Sequence, residues 1–193
     1  NCSSLEQITI PSNVKTIKEM AFSNCNKLKK VVILSSFITT IEKETFIDCV
    51  SLTDVSLPSS ISSLKYECFS NCTSLIEFTI PPLVSIIDQS VFLECKSLKK
   101  VHIPPSVKII GEGSFMKCSS LKEIVIPPSV ETIEDYAFNQ CSSLESIVIP
   151  SSVTYIGPSS FDKCSALKQI SIPSSYGSLN NVLIPAQAKV LLT

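Results

Sequence analysis

The fold follows from a 23-residue unit that residues 118–140 show in full: CSSLKEIVIPPSVETIEDYAFNQ. Its cysteine recurs along the whole chain, and successive copies are 23 residues apart except for one gap of 24. The eight cysteines of this series are Cys2, Cys25, Cys49, Cys72, Cys95, Cys118, Cys141 and Cys164. Such a period indicates a stack of near-identical coils, because each coil then buries the same side chains against those of its neighbours.

Two further residue types keep the same period. Phenylalanine recurs at Phe22, Phe46, Phe69, Phe92, Phe115, Phe138 and Phe161. Proline recurs at Pro11, Pro58, Pro81, Pro104, Pro127, Pro150 and Pro173, with Leu34 in the one missing place. Since proline cannot donate a hydrogen bond to a sheet, its column predicts that a strand ends at the same edge in each coil.

Each coil is predicted to have three walls. The segment of residues 121–126 alternates apolar and polar side chains at its end in most copies, as in Ile8-Thr9-Ile10 and Phe78-Thr79-Ile80, which is typical of a half-buried strand. The pair Val130 and Ile133 predicts a second short extended or turn segment, and Ala137-Phe138 a tight turn or short helical piece. The sequence therefore predicts a solenoid of about eight 23-residue coils. It has a parallel β-sheet on one wall and short extended or 3-10/turn segments on the others.

One coil, which begins at Cys25, has 24 residues. Its extra residue lies between Ile33 and Ile41, where either Phe37 or Ile38 can take the place of the repeated valine. We expect a bulge at this point and not a break in the stack.

Composition excludes several classes of function. The 193 residues are 44% hydrophobic with a mean hydropathy of +0.33, yet no run approaches the roughly 18 apolar residues of a membrane-spanning helix. We therefore predict no membrane insertion by this segment. Sixteen basic and 17 acidic residues leave a net charge of -1, which argues against nucleic acid as a partner. The lysines of residues 27–30 and 96–100 are interpreted as solvated corners of the coils.

The sequence contains no recognisable catalytic constellation. His102 is the only histidine, and the sequence contains no G-x-S-x-G, P-loop or H-E-x-x-H motif. Four glycines leave little room for phosphate-binding loops. We therefore predict a protein that is not an enzyme and that uses no cofactor.

The repeated unit, C-x-x-L-x-x-I-x-I-P-x-x-V-x-x-I-x-x-x-A-F, resembles the BspA-like class of leucine-rich repeats, also known from treponemal repeat proteins. Residues 126–141 and 149–161 match closely, and the resemblance extends from residue 1 to about residue 173. One departure concerns the glycine that often follows the V-x-x-I pair, which is present only at Gly111 and Gly157.

The resemblance implies a leucine-rich repeat solenoid of the kind found in trichomonads and Bacteroides-type bacteria. It further implies a non-enzymatic module at the cell surface or in the secreted fraction that binds proteins and mediates adhesion to host cells, matrix proteins or other microbes. Two alternatives stay open: a structural spacer, and an intracellular scaffold for protein interactions.

Nine cysteines raise the question of disulfides and metal sites. Because the repeated cysteines point the same way in every coil, we expect them to be buried free thiols. A disulfide between Cys68, the cysteine outside the series, and Cys72 is an alternative. A zinc site is another, but we predict no metal site, since His102 lies away from any cysteine pair.

The outward residues of the predicted strands form the largest regular surface, which suits a protein ligand. The candidate binding residues are Glu77, Thr79, Lys100, His102, Glu123, Val125, Ser146 and Val148, here called the strand-wall strip. The same pattern places Gln169 and Ser171 outward. The alternative is that short side chains simply suit a flat sheet. Asn1 and Asn71 lie in sequons for N-glycosylation.

The pattern decays after Pro173, so we divide the chain into a solenoid at residues 1–173 and a C-terminal cap at residues 174–193. Tyr176 and Leu179 take the places of the repeated valine and isoleucine, residues 181–185 resemble a shortened extra strand, and residues 190–192 an apolar tail. At the other end the first coil has no cap. We therefore expect the chain to be the C-terminal part of a longer repeat protein, and to form weak end-to-end dimers.

Overall fold

The chain forms the predicted β-solenoid of about eight coils of 23 residues. The structure is a computed structural model that describes residues 2–174 and 182–192. All its strand pairs are parallel, and these residues contain no α-helix. Consecutive coils lie on top of one another, as parallel neighbours of a sheet do.

The first wall, here called the strand wall, is formed by the strands that follow each Cys-x-x-Leu segment and by one further strand near the C-terminus. These strands are β1 (Gln7–Ile10), β2 (Lys30–Ile33), β4 (Asp54–Ser56), β6 (Glu77–Thr79), β8 (Lys100–His102), β11 (Ser146–Val148), β13 (Gln169–Ile172) and β14 (Lys189–Leu192). They form three separate sheets, in the orders β1-β2-β4, β6-β8 and β11-β13-β14. The strand wall is therefore interrupted.

The second wall is formed by two-residue strands at the V-x-x-I pair. These strands are β3 (Thr40–Ile41), β5 (Ser63–Leu64), β7 (Ile86–Ile87), β9 (Ile109–Ile110), β10 (Thr132–Ile133) and β12 (Tyr155–Ile156). They form one six-stranded sheet whose register stacks the last residue of each pair, from Ile41 to Ile156. In contrast to the strand wall, this sheet runs without a gap.

The third wall, here called the turn wall, runs from the second wall to the cysteine. Its N–H groups alternate between two kinds of acceptor. The N–H of Phe115 donates to the carbonyl of Ala137 in the next coil at 2.9 Å, whereas the N–H of Met116 donates within its own coil, to Gly113 at 3.0 Å. The alternation both closes the turns and ties each coil to the next, which satisfies the backbone without a sheet.

Two residues in each coil of the turn wall adopt the left-handed conformation that L-residues normally avoid. In the coil of residues 118–140 they are Tyr136 (φ 57°) and Gln140 (φ 60°). Most of the left-handed residues in the other coils are likewise not glycine. The sequence signals this conformation at only a few of these positions, at Gly113 and at residues such as Asn24 and Asp48, whose short polar side chains tolerate it. The stacked hydrogen bonds of the turn wall offset its cost.

The core is one continuous cluster in which each residue type stacks on its own kind. Phenylalanine rings from Phe22 to Phe161 form a column with centroids 5.4–5.9 Å apart and planes within 10° of parallel. Phe78 packs on this column at a steep angle, between Phe69 and Phe92. The prediction of a single unbroken interior is confirmed for the described residues.

The 24-residue coil fits without a break in the stack. Ile38 is buried and takes the place of the repeated valine, whereas the side chain of Phe37 is 62% exposed. Strand β2 before the insertion and strand β3 after it both remain paired. The sequence left these two residues as alternatives, and packing decides between them.

The prediction of a strand at residues 121–126 was wrong. Ile124 and Ile126 are buried and Val125 is exposed, so the side chains alternate as in a strand. However, the peptide groups of residues 123–126 make no backbone hydrogen bond with either adjacent coil. The hydrogen-bond ladder of the strand wall is therefore open on both sides of them. Alternation follows from burial alone, whereas a strand also requires partners in register.

The extra strand predicted at residues 181–185 lies elsewhere. Residues 182–185 are outside any strand, and β14 instead pairs with β13 at Lys189–Leu192. The reason is a turn in which the N–H of Ala188 donates to the carbonyl of Pro185 at 2.9 Å, as Leu167 does to Cys164 at 3.0 Å. The strand follows this turn, as β13 follows the turn at Cys164. The capping role of residues 174–193 stays a prediction, and Tyr176, Leu179 and Asn181 lie outside the described residues.

The Phe115→Ala substitution is expected to lower the free energy of unfolding by about 3–5 kcal/mol, because it opens a cavity in the middle of the phenylalanine column. Urea unfolding followed by circular dichroism measures the change. The matched control is Phe37→Ala, which removes an exposed ring and should change stability by less than about 0.5 kcal/mol. Equal effects of the two substitutions would contradict the stacked core.

Candidate functional site

The eight residues of the strand-wall strip are all exposed and lie on four successive coils. Within strands β6 and β8, Glu77 lies opposite Lys100 and Thr79 opposite His102. The Nε2 atom of His102 lies 3.0 Å from the Oε1 atom of Glu77, a diagonal contact between the two coils. The structure thus brings the predicted residues onto one surface.

The coil of Glu123 and Val125 lies at the centre of this surface and differs from its neighbours. The carbonyl of Lys122 accepts the N–H of Glu145 at 3.0 Å, but the peptide groups of the next four residues bond to neither adjacent coil. Unpaired backbone groups in a protein need water or another partner. The middle of the strip therefore offers free N–H and C=O groups, which a regular sheet does not.

Two grooves flank this coil. The first has a volume of about 300 Å³ and is lined by Lys100, Val101, His102, Ile103, Glu123, Ile124 and Val125. The second, of about 320 Å³, is lined by Glu123, Ile124, Val125, Ile126, Ser146, Ile147, Val148 and Pro150. Both volumes are at the lower end of the range for ligand pockets, and each groove is shallow enough to accept side chains of a partner.

Two valines provide the apolar part of the surface. Val125 is 79% exposed and Val148 is 62% exposed, and both border the second groove. Exposed valines lower the solubility of the chain and do not stabilise its core. Two adjacent exposed valines therefore indicate a binding surface more strongly than a single one. Together with the charged residues around them, they form a mixed surface of the kind that protein interfaces use.

The structure does not expose Ser171, which the sequence pattern places outward. Ser171 is buried, although its neighbour Gln169 is exposed as predicted. In the register of the sheet, Ser171 lies between Val148 and Leu191. Its short side chain is overlapped by the two larger ones, so the strip ends at Val148 and does not continue to the last coil.

The repeated cysteines form a second regular feature, inside the core. Those from Cys25 to Cys164 are buried free thiols, as predicted, and Cys68 is also buried and free. From Cys49 onward, each thiol of the series donates to the carbonyl of the phenylalanine 26 or 27 residues earlier, as Cys118 does to Phe92 at 3.2 Å. The same carbonyl accepts the N–H of Cys95. Cys2 departs from the series because it is exposed.

Burial makes these thiols unreactive. Loss of solvation raises the pKa of Cys95 to about 12, and the pKa of Cys118 rises well above its ordinary value for the same reason. A thiol must ionise to attack a disulfide or bind a metal. In the described residues, no group of three or more His, Cys, Asp or Glu side chains is arranged to hold a metal ion.

Of the two glycosylation sequons, only that of Asn71 lies in the described part of the chain. The Nδ2 atom of Asn71 donates to Asp48 at 2.7 Å, in the column of left-handed residues of the turn wall. Asn1 lies outside the described residues. The described ranges also contain no helix with the length and apolar character needed to cross a membrane.

Comparison with known families gives a match over nearly the whole chain. The model of the BspA type leucine rich repeat region matches residues 1–108 and 85–184, in six copies. No curated protein shows a significant sequence match to the chain.

Several solved structures share the fold. A leucine rich repeat protein from Treponema pallidum is 29% identical, with a TM-score of 0.79 over 84% of this chain and 78% of that one. A leucine-rich repeat protein from Bacteroides ovatus is 24% identical, with a TM-score of 0.61 over 97% of this chain. A leucine rich cell surface protein from Faecalibacterium prausnitzii is 22% identical, with a TM-score of 0.55 over 97% of this chain and 79% of that one. The chain spans 66% of the length of the Bacteroides ovatus protein.

Thiol labelling tests the cysteine assignment. In the folded protein, a chromogenic disulfide reagent should react rapidly with one of the nine thiols, Cys2, because the other eight are buried. All nine should react in denaturant without reductant, and the Cys2→Ser variant should show no rapid reaction when folded. Recovery of only seven thiols in denaturant would instead indicate a disulfide such as Cys68–Cys72.

The raised thiol pKa values also predict sensitivity to alkali. The folded protein keeps these thiols protonated up to about pH 12, whereas thiols of the unfolded chain ionise from about pH 8.5. Their contribution to stability is therefore complete below about pH 8.5 and is lost as the pH rises, by about 1.4 kcal/mol per pH unit for each thiol. Urea unfolding across this range should show a shallower decline for Cys95→Val than for the unsubstituted protein, and equal slopes would contradict the assignment.

Proposed function

The chain belongs to the BspA type of leucine-rich repeat proteins, and on that premise we propose that it is a non-enzymatic protein-binding module that mediates adhesion. Its partners are host cells, matrix proteins or other microbes, and its place is the cell surface or the secreted fraction. Membership of this family supports the proposed location, and the outer surface of the solenoid supports the proposed binding role.

The observation that carries the proposal is the pair of exposed valines beside the grooves. A sheet that only had to be soluble would place polar residues at both positions, as Thr79 does in an earlier coil. Val125 and Val148 instead present adjacent apolar side chains, within a rim of Glu123 and Ser146. An apolar centre with a polar rim is the usual anatomy of a protein interface.

The interior of the solenoid supports a non-enzymatic role. Each coil fills its centre with phenylalanine, leucine and cysteine side chains, and the grooves of the strip are shallow features of the outer wall. The Glu77–His102 pair lies on the exposed sheet. Catalysis usually needs groups that are held away from water in a preorganised pocket, and this pair is not.

A second candidate function is an intracellular scaffold for protein interactions. The buried free thiols favour it, because secreted proteins with many cysteines commonly form disulfides. The strand-wall strip would serve as a binding surface in either compartment. A structural spacer without any ligand is the remaining alternative.

Charged substitutions at the two valines test the adhesion proposal. The Val125→Glu/Val148→Glu variant is expected to lower binding to cultured epithelial cells and to immobilised matrix proteins by about tenfold or more, because it places charge at the centre of the interface. Binding is measured as the retained fraction of fluorescently labelled protein.

The matched control is Phe37→Glu, which changes an equally exposed apolar residue outside the strip, and circular dichroism verifies that all variants are folded. Unchanged adhesion of the valine variant would exclude the strip. Absence of adhesion in the unsubstituted protein would favour the spacer.

A further inference from the structure

Lysines at the start of the strand wall break the charge pattern of the stack. At the position just before the strand, Glu6 and Lys29 form an ion pair of 3.0 Å between adjacent coils. Glu145 and Lys168 do the same at 2.8 Å. Opposite charges in register stabilise neighbouring strands, and like charges destabilise them. At this same position, however, Lys99 and Lys122 occupy adjacent coils.

These lysines form no ion pair among the described residues, although Glu77 lies opposite Lys100, and the charge of Lys122 helps to lower the pKa of the Glu145 carboxyl. Lys99, Lys122 and the adjoining Lys100 make no ion pair within 4.0 Å, although Lys30 at the position of Lys100 pairs with Asp54 at 2.8 Å. Lys99 and Lys122, as like charges at one position of adjacent coils, cost the fold some stability. Stability of the stack does not explain this pair, so its positive charge is available to a ligand.

The lysines line a depression that adjoins the two grooves. Its volume is about 620 Å³, and it is bordered by Lys99, Lys100, Lys122, Glu123, Glu145 and Ser146. Glu145 is already engaged, since its hydrogen bond with Lys168 lowers the pKa of its carboxyl. Three lysines against the single remaining carboxylate of Glu123 leave the depression with an excess of two positive charges.

The positive depression and the apolar grooves form one surface. The depression shares Lys100 and Glu123 with the first groove, and Glu123 and Ser146 with the second. Lys122 and Val125 are three residues apart along the chain, which is roughly 10 Å in extended backbone. A single short segment of a partner can therefore reach both the lysines and the valines.

We propose that the occupant of this surface is an extended polypeptide segment of a partner protein, in which acidic residues lie within about four positions of apolar residues. This inference rests on the proposed binding function of the strip and adds the chemistry of its ligand. Acidic side chains lie over Lys99, Lys100 and Lys122, and apolar side chains enter the grooves beside Val125 and Val148. A separation of roughly 10 Å corresponds to about three residues of an extended chain, which is within the stated range of four positions.

The open backbone of residues 123–126 adds polar contacts to the same site. In extended backbone the N–H and C=O groups point along the stack toward the adjacent coils, where those of residues 123–126 meet no backbone partner. Polar atoms of the segment can bond to them without displacing any hydrogen bond of the fold. A sulfated polysaccharide would match the lysines, but it has no apolar groups for the valines, so a polypeptide fits the surface better.

The test is selection of peptides from a random 12-residue library displayed on phage, with the folded, immobilised chain as bait. The unsubstituted protein is compared with K99E/K100E/K122E, with V125E/V148E and with the control K15E/K18E/K65E. The control makes the same change in net charge at exposed lysines that also make no ion pair, away from the strand wall. Selected peptides are then synthesised, and their affinities are measured by fluorescence anisotropy at low and high salt.

We expect the selected peptides to combine Asp or Glu with Val, Ile or Leu within about four positions. Affinity should fall about tenfold for K99E/K100E/K122E, the sum of three exposed ion pairs, and should stay unchanged for the control. High salt should remove most of this difference, because it screens exposed charges. V125E/V148E should also lose affinity.

Each other outcome is decisive. Peptides that need the valines but show no acidic preference would overturn this inference and leave the binding function in place. Peptides that bind V125E/V148E as tightly as the unsubstituted protein, or no enrichment at all, would overturn both. Heparin binding that depends on the three lysines and not on the valines, without acidic peptides, would show that the ligand is a polysaccharide.

Discussion

The structure depends on like-on-like stacking: every coil must present the same side chains at the same depth to the coil above and below it. The phenylalanine column shows how tight this constraint is, with ring planes within 10° of parallel from Phe22 to Phe161. A slip of one residue in any coil would carry an outward side chain into the interior. The constraint explains why the period holds with only one exception.

Stacking also determines how the three walls divide their roles. The second wall and the turn wall hold consecutive coils together through regular hydrogen bonds, and the thiol of each core cysteine from Cys49 to Cys164 adds one more bond per coil. The strand wall is interrupted, yet the stack continues past its gaps. Because two walls are sufficient for cohesion, the outward residues of the strand wall are free to vary in charge and size.

Because these outward residues are free to vary, the candidate site lies on the strand wall. The core is filled with apolar side chains and unreactive thiols, so chemistry is confined to the outer surface. The coil of residues 123–126 combines three features there: open backbone groups, two exposed valines nearby and lysines that the stack leaves unpaired. Each feature departs from the regular repeat, and they coincide within three coils. We propose a protein ligand because one extended segment can contact all three features, which solvation of a flat sheet does not explain.

The sequence by itself determined the period, the core residues, the three walls and the outward strip, because these follow from side-chain burial that each coil repeats. Only the tertiary structure decided the rest. It buried Ile38 in preference to Phe37, covered Ser171 and moved the last strand to residues 189–192. It also opened the ladder around residues 123–126 and left Lys99 and Lys122 without ion pairs. These features depend on the register and spacing between coils, and a pattern along one chain does not contain the distance to its neighbour.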